Sequence, residues 1–167
     1  MAAGKSTLAR QIAKEYNAIL LVEDELLAQL YPDEIVDIPS YIKYSPRLRT
    51  AIASHISDLL SREISVVLDF SANTINQRKW FRGLFEKANA AHELYFINAT
   101  DDLCKRQLKE RSKNQSESAF VSDMVFEEIT KYFQPPSEEE QFNIVIYDRS
   151  WRYAIQLLWI IYSKVII

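Results

Sequence analysis

Apolar runs and amphipathic stretches alternate along this chain. Leu8, Ile12 and Ala13 recur at helical spacing, which predicts a helix over residues 6–16. The run AILLV at 18–22, bounded by Asn17 and Glu23, reads as a buried strand. A short helix follows at 24–30 and ends at Tyr31-Pro32. Residues 32–46 carry three prolines and read as loop, before a helix at 47–60. The pattern then repeats: strand 64–68 (ISVVL), helix 75–90, strand 93–97 (ELYFI), helix 101–111. A polar stretch at 112–118, a helix at 122–133, an acidic turn at 135–140 and a strand at 143–147 (NIVIY) complete it. Strand runs without polar alternation are buried on both faces, as in parallel sheets, and intervening helices supply the crossovers. The expected class is α/β: three layers around a mainly parallel sheet, with one body over 1–148 and an apolar tail over 149–167.

Composition narrows this picture only a little. The chain has 167 residues, 48% hydrophobic and 26% charged, which suits one soluble globular domain. A net charge of -3 gives no general electrostatic case for nucleic acid as a partner. The single cysteine, Cys104, forms no intrachain disulfide, lies in a helical pattern and reads as a packing residue in a cytoplasmic protein. His55 and His92 have no partner at metal-ligand spacing and read as structural, and no Cys/His cluster indicates zinc.

Chemistry enters at Gly4-Lys5-Ser6-Thr7. This matches the second half of a Walker A loop, G-x-x-x-x-G-K-[ST], at the start of a helix. Gly4 lets the backbone approach phosphates without a Cβ. Lys5 brings positive charge to the β and γ phosphates, and Ser6 offers a hydroxyl to Mg²⁺. The free N–H groups and dipole of the helix face the same anion. ATP and Mg²⁺ are therefore the expected cofactors, with Gly4, Lys5, Ser6 and Thr7 as the binding segment. The four-residue motif is short, and its weight comes from the helix behind it and the acid-ended strands beyond.

GKSTLA, ILLVEDELL, VVLDFSANT and DDLCKRQLKER together resemble the bacterial P-loop kinases of the AAA-domain ATP-binding group. Zeta toxins, polynucleotide kinase and chloramphenicol phosphotransferase share the pattern, and the resemblance spans roughly residues 2–148. It implies a P-loop NTPase fold and phosphate transfer from ATP to a hydroxyl of a small-molecule or nucleotide-type acceptor. It implies that Asp24 takes the acceptor's proton, with Glu23 next door as the alternative. Asp69 falls where the family holds the metal or places a second acid. Arg106 and Arg111 resemble the lid arginines that close over the phosphates, and Arg78 an arginine near the acceptor. Asn73 falls one residue late for the family's D-x-[ST]-N pattern. The same residues have plain readings that stay open here: Asp24 as a helix cap, Asp69 as a strand end, and Arg106 and Arg111 as a solvated helix face.

Two features depart from the pattern. The loop's first glycine and the strand before it do not precede Gly4, and the resemblance places that strand centrally in the sheet. An open central position would leave buried backbone groups unpaired, at about 1–3 kcal/mol each, against a domain stability of about 5–15 kcal/mol. The sheet is therefore expected to lack its first strand, as in a gene shortened at one end and extended at the other, and a catalytically impaired nucleotide-binding remnant of such a kinase is the alternative to an active one. The tail WRYAIQLLWIIYSKVII is almost wholly apolar but shorter than the roughly 20 residues of a membrane helix. A C-terminal helix packed on the sheet is the leading expectation. A disordered extension, a membrane or interaction anchor, and a replacement strand at 163–167 are the alternatives. Neither the acceptor nor the oligomeric state is encoded in any motif.

Overall fold

The computed structural model describes residues 4–98, 100–114, 123–148 and 156–162. Helix α1 (Lys5–Glu15) leads to strand β1 (Ile19–Val22), helix α2 (Glu23–Leu30) and the long helix α3 (Ile38–Ser61). Strand β2 (Val66–Asp69), helix α4 (Ile75–Ala88), strand β3 (Ala91–Asn98) and helices α5 (Asp101–Asn114) and α6 (Asp123–Lys131) follow. A 3₁₀ turn (Glu138–Glu140) precedes strands β4 (Ile144–Asp148) and β5 (Gln156–Tyr162).

The proline-rich stretch is helix, not loop, from Ile38 onward. Asp37 accepts from the Ser40 amide at 2.8 Å while the Ser40 hydroxyl accepts from the Asp37 amide at 3.0 Å, closing a capping box. Pro39 falls in the first turn, where its missing N–H would have had no helical acceptor. Pro46 lies inside the helix, flanked by buried Tyr44, Ser45, Leu48 and Arg49. Packing of that face outweighs the hydrogen bond that proline removes.

The strands form one sheet in the order β1-β2-β5-β3-β4. β1 pairs parallel with β2, and β3 parallel with β4, while β5 runs antiparallel to both of its neighbours. Residues 156–162 of the apolar tail are thus a strand and not a C-terminal helix. They are paired on both sides within the sheet. β5 holds the central position that the resemblance gives to the strand preceding the phosphate loop. The suggested replacement strand at 163–167 lies outside the described residues. Among the described residues, no helix is long and apolar enough to cross a membrane.

Strand alternation divides the core into two layers. Val66, Leu68 and Phe70 join Leu94, Leu48, Ile56, Leu60, Phe81 and Leu84 on the face covered by α3 and α4. Val67 and Ile97 point the other way, onto Leu8, Ala9, Ile12 and Ala13 of α1. This is the expected three-layer α/β arrangement. Continuing the same alternation puts Asp69, at the end of β2, on the α1 side.

Candidate functional site

The site forms where α1 begins. Gly4 precedes the helix in the left-handed conformation, φ 84° and ψ 16°, which a side chain would strain. The first helical bond runs from the Leu8 amide to the Gly4 carbonyl at 3.0 Å. The amides of Lys5, Ser6 and Thr7 therefore stand in the first turn, where an α-helix offers them no acceptor. Ser6 is half-buried and Thr7 exposed.

Lys5 turns back over the end of β2. Its Nζ lies 2.6 Å from Asp69 Oδ1, and the Asp69 side chain is 1% exposed. The contact is an ion pair that lacks the direction of a hydrogen bond. Neither carboxylate oxygen of Asp69 accepts a hydrogen bond from the described residues. A buried carboxylate normally gathers donors, because burying a charge with its lone pairs unsatisfied is costly. Asp69 thus keeps coordinating capacity in a place where α1 also presents free donors. The residues fit Mg²⁺ bound with a nucleotide: Ser6 Oγ and Asp69 are hard oxygen donors beside a phosphate-binding helix start. Among the described residues no three acidic, histidine or cysteine side chains group as a metal cage. Magnesium does not need one, since it commonly takes one or two protein oxygens with phosphates and water.

The neighbouring strand ends at the same edge, since Val22 of β1 pairs with Asp69 of β2. Beyond it stand Glu23 and Asp24, in the first turn of α2. The two acids differ sharply. Asp24 is exposed. Glu23 is 1% exposed and saturated with donors. It accepts from Ser45 Oγ (2.7 Å), Arg49 Nε (2.9 Å), Arg49 Nη2 (3.2 Å), Tyr41 Oη (2.8 Å) and the Ser71 amide (2.9 Å). The Tyr41 and Ser71 hydroxyls share a further bond at 2.8 Å, and Arg49 Nη2 donates to the Ser71 carbonyl at 2.7 Å. Arg49 also lies over the rings of Trp80, Phe81 and Phe70 at 5.2–5.7 Å. Burial pushes the Glu23 pKa up, but the Arg49 charge and the hydrogen bonds from Arg49, Ser71 and Ser45 bring it below its ordinary value. Burial first, then the Glu23 charge, drives the Tyr41 phenol strongly upward, so that it stays protonated. Glu23 has no lone pair to spare for a substrate proton, which removes it as the alternative base.

Sequence patterns gave no hint of this cluster. All three side chains that reach it from α3 were out of view: Tyr41 and Ser45 lie in the stretch expected to be loop, and Arg49 just beyond it. Only the i, i+4, i+8 spacing of Tyr41, Ser45 and Arg49 would have put them on one helical face.

Arg78 is not placed for an acceptor. It is fully buried and donates to the Ala72 carbonyl (2.9 Å), the Gln134 carbonyl (2.8 Å) and both Glu140 oxygens (2.7 and 2.8 Å). It ties α4 to the segment leading to β4. Asn73 joins the same tie through its carbonyl, which accepts from the Gln134 amide at 2.8 Å. Arg106 lies exposed on α5, around a shallow depression with Asp102, Lys105 and Lys109. The side chain of Arg111 falls outside the described residues. Cys104 is buried in α5, and burial raises its thiol pKa, as suits a packing residue. His92 stacks on Phe85 and accepts from the Asn143 amide at 3.2 Å, and His55 is exposed on α3.

An α/β sheet whose strand-end acid meets the lysine of a glycine-led helix is the architecture of P-loop nucleoside-triphosphate-binding domains. The chain belongs to the AAA domain family, which it matches over residues 1–136. This makes it a nucleotide-binding P-loop domain. No curated protein and no solved structure matches the chain.

Proposed function

We propose that the chain is an ATP-dependent phosphotransferase acting on a hydroxyl of a small-molecule or nucleotide-type acceptor. The observation that carries this reading is the Lys5–Asp69 pair, with Lys5 Nζ 2.6 Å from a buried carboxylate that accepts no hydrogen bond from the described residues. Phosphoryl transfer demands positioning and charge neutralisation, not covalent help from the protein. In this reading Lys5 leaves Asp69 for the phosphates when nucleotide enters. The amides of Lys5, Ser6 and Thr7 then bind phosphate oxygens. Mg²⁺ held by Ser6 and Asp69 would neutralise charge between the β and γ phosphates. Asp24, exposed at the edge of the same sheet end, takes the acceptor proton. Arg106 and Arg111 supply cations from α5.

A second reading is nucleotide binding without transfer. The direction of β5 favours it: Gln156 pairs with Ile97 and Tyr162 with Ala91, so β5 enters the sheet at the site edge and leaves at the far end. The central strand therefore does not run into the phosphate loop.

Thermal unfolding with and without Mg·ATP tests binding, with Lys5→Ala as control. Ligand at 100 times its Kd adds about 2.7 kcal/mol, or about 5–11 °C for a chain of this size. A shift that disappears in the control supports the site. ATP consumption with hydroxyl acceptors, lost in Asp24→Asn, supports transfer. A shift without turnover favours the second reading, and a folded protein with no shift sinks both.

A further inference from the structure

The Glu23 cluster is more elaborate than a strand end requires. One buried carboxylate collects five hydrogen bonds from two parts of the chain: Tyr41, Ser45 and Arg49 of α3, and the Ser71 amide beyond β2. Glu23 itself opens α2, immediately before Asp24. Ser71 is two residues beyond Asp69, and its amide and carbonyl are both engaged by the cluster. The cluster therefore grips the backbone next to each of two acids.

Such burial is not an efficient way to gain stability. Replacing a buried ion pair by apolar side chains is often neutral or stabilising, so its retention fits a demand for fixed geometry. The rings of Phe70, Trp80 and Phe81, 5.2–5.7 Å from the Arg49 guanidinium, restrict it further. Asp69 has the opposite character: among the described residues only the Lys5 ammonium holds its carboxylate. Its aim depends on the backbone around it, and that backbone is what the cluster holds.

We propose that Glu23 is a positioning residue: with Arg49 and Tyr41 it locks the segment after β2 to the start of α2, and so sets Asp69 and Asp24 for metal-bound nucleotide. This rests on the nucleotide reading of Asp69 given above. Glu23 touches no substrate in this role.

The test uses the full chain and compares affinity for ATP with and without Mg²⁺. Glu23→Gln removes the charge that Arg49 needs. Tyr41→Phe is the milder variant, removing one hydroxyl that bonds both Glu23 and Ser71 while keeping the ring. Metal-free ATP affinity, which depends on α1, should stay within about twofold of wild type in both. The gain in affinity on adding Mg²⁺ should fall roughly tenfold in Glu23→Gln, the scale of one charge-assisted hydrogen bond, and less in Tyr41→Phe. Hydrogen exchange of the Ser71 amide should quicken in both, with the amides of β2 still protected. General destabilisation would instead lower both affinities together and expose β2. A wild type that gains from Mg²⁺, with variants that keep the full gain, overturns the positioning role alone. A wild type with no gain from Mg²⁺ overturns the reading of Asp69 and this inference together. If Glu23→Gln does not fold, Tyr41→Phe decides between the same outcomes.

Discussion

Removing Arg78 should unsettle the protein without touching its ligand site. The side chain is fully buried, and its guanidinium serves the carbonyls of Ala72, Gln134 and, at 3.5 Å, Pro135, and both oxygens of Glu140. In Arg78→Ala the Ala72 and Gln134 carbonyls lose their donor, and Glu140 loses its ion-pair partner and keeps the bond from the Ser137 amide at 3.1 Å. Breaking one side of a buried pair costs about 3–5 kcal/mol. Glu140 retains 13% exposure, so water relieves part of its loss. The lower end, about 3 kcal/mol, is the expected value, and at 2–4 °C per kcal/mol it lowers Tm by about 6–12 °C. Adding Glu140→Gln should recover part of the loss by removing the stranded charge. Calorimetry of the three proteins, with and without Mg·ATP, gives the comparison. The rise in Tm on adding ligand should be the same in all of them. A loss below about 1 kcal/mol would refute the structural accounting. A normal Tm with the ligand response abolished would return Arg78 to the nucleotide or acceptor site.

Other expectations follow from the same geometry. Ile160 of β5 pairs with Val67 of β2 and Glu93 of β3, so Ile160→Pro should cost about 1–3 kcal/mol for each partner left unsatisfied. Urea unfolding measures this, and an unchanged midpoint would mean that β5 does not hold the centre of the sheet. Glu23 has its folded pKa below the ordinary value of 4.5. Its contribution is complete above that value and is lost as the pH falls through the folded pKa. Wild type should therefore lose Tm on acidification below 4.5 more steeply than Glu23→Gln, as scanning fluorimetry across pH would show. Lys5→Ala strands the Asp69 charge, so its apo Tm should fall, and Lys5→Ala/Asp69→Asn should recover most of it. Equal Tm values for the single and double variants would argue against an Asp69 charge in the folded protein. Cys104 should react with a thiol reagent only as fast as α5 opens, so labelling should track denaturant, and rapid labelling of native protein would contradict its burial.

Much of the fold could be read from local pattern. The runs at 18–22, 64–68, 93–97 and 143–147 became strands with small changes at their ends, because uninterrupted apolar runs have one stable use in an α/β sheet. Alternation within them also encodes direction: Val67 faces α1 while Val66 and Leu68 face α3. The phosphate loop was legible because Gly4-Lys5-Ser6 needs nothing distant to define it. Proline misled at 32–46, where a local breaker signal hid a helix stabilised by its cap and its buried face. The tail misled as well. QLLWIIY has the apolar character of a buried strand or a buried helix, and periodicity alone does not separate the two.

The sequence by itself determined which segments bear phosphate chemistry and which acids end the strands. It could not assign those acids their roles. Glu23 and Asp24 are neighbours with nearly the same chemistry, yet one is buried under five hydrogen bonds and the other is exposed. Arg78 looked like an acceptor-site cation until the segment 134–140 closed over it. The β5 position, too, was settled only in three dimensions, by a gap between β2 and β3 that the tail could fill. Backbone periodicity is a local property, fixed by a residue's own neighbours. Burial of a charge and pairing of a strand depend on what arrives from elsewhere in the chain, and only the folded structure brings those partners together.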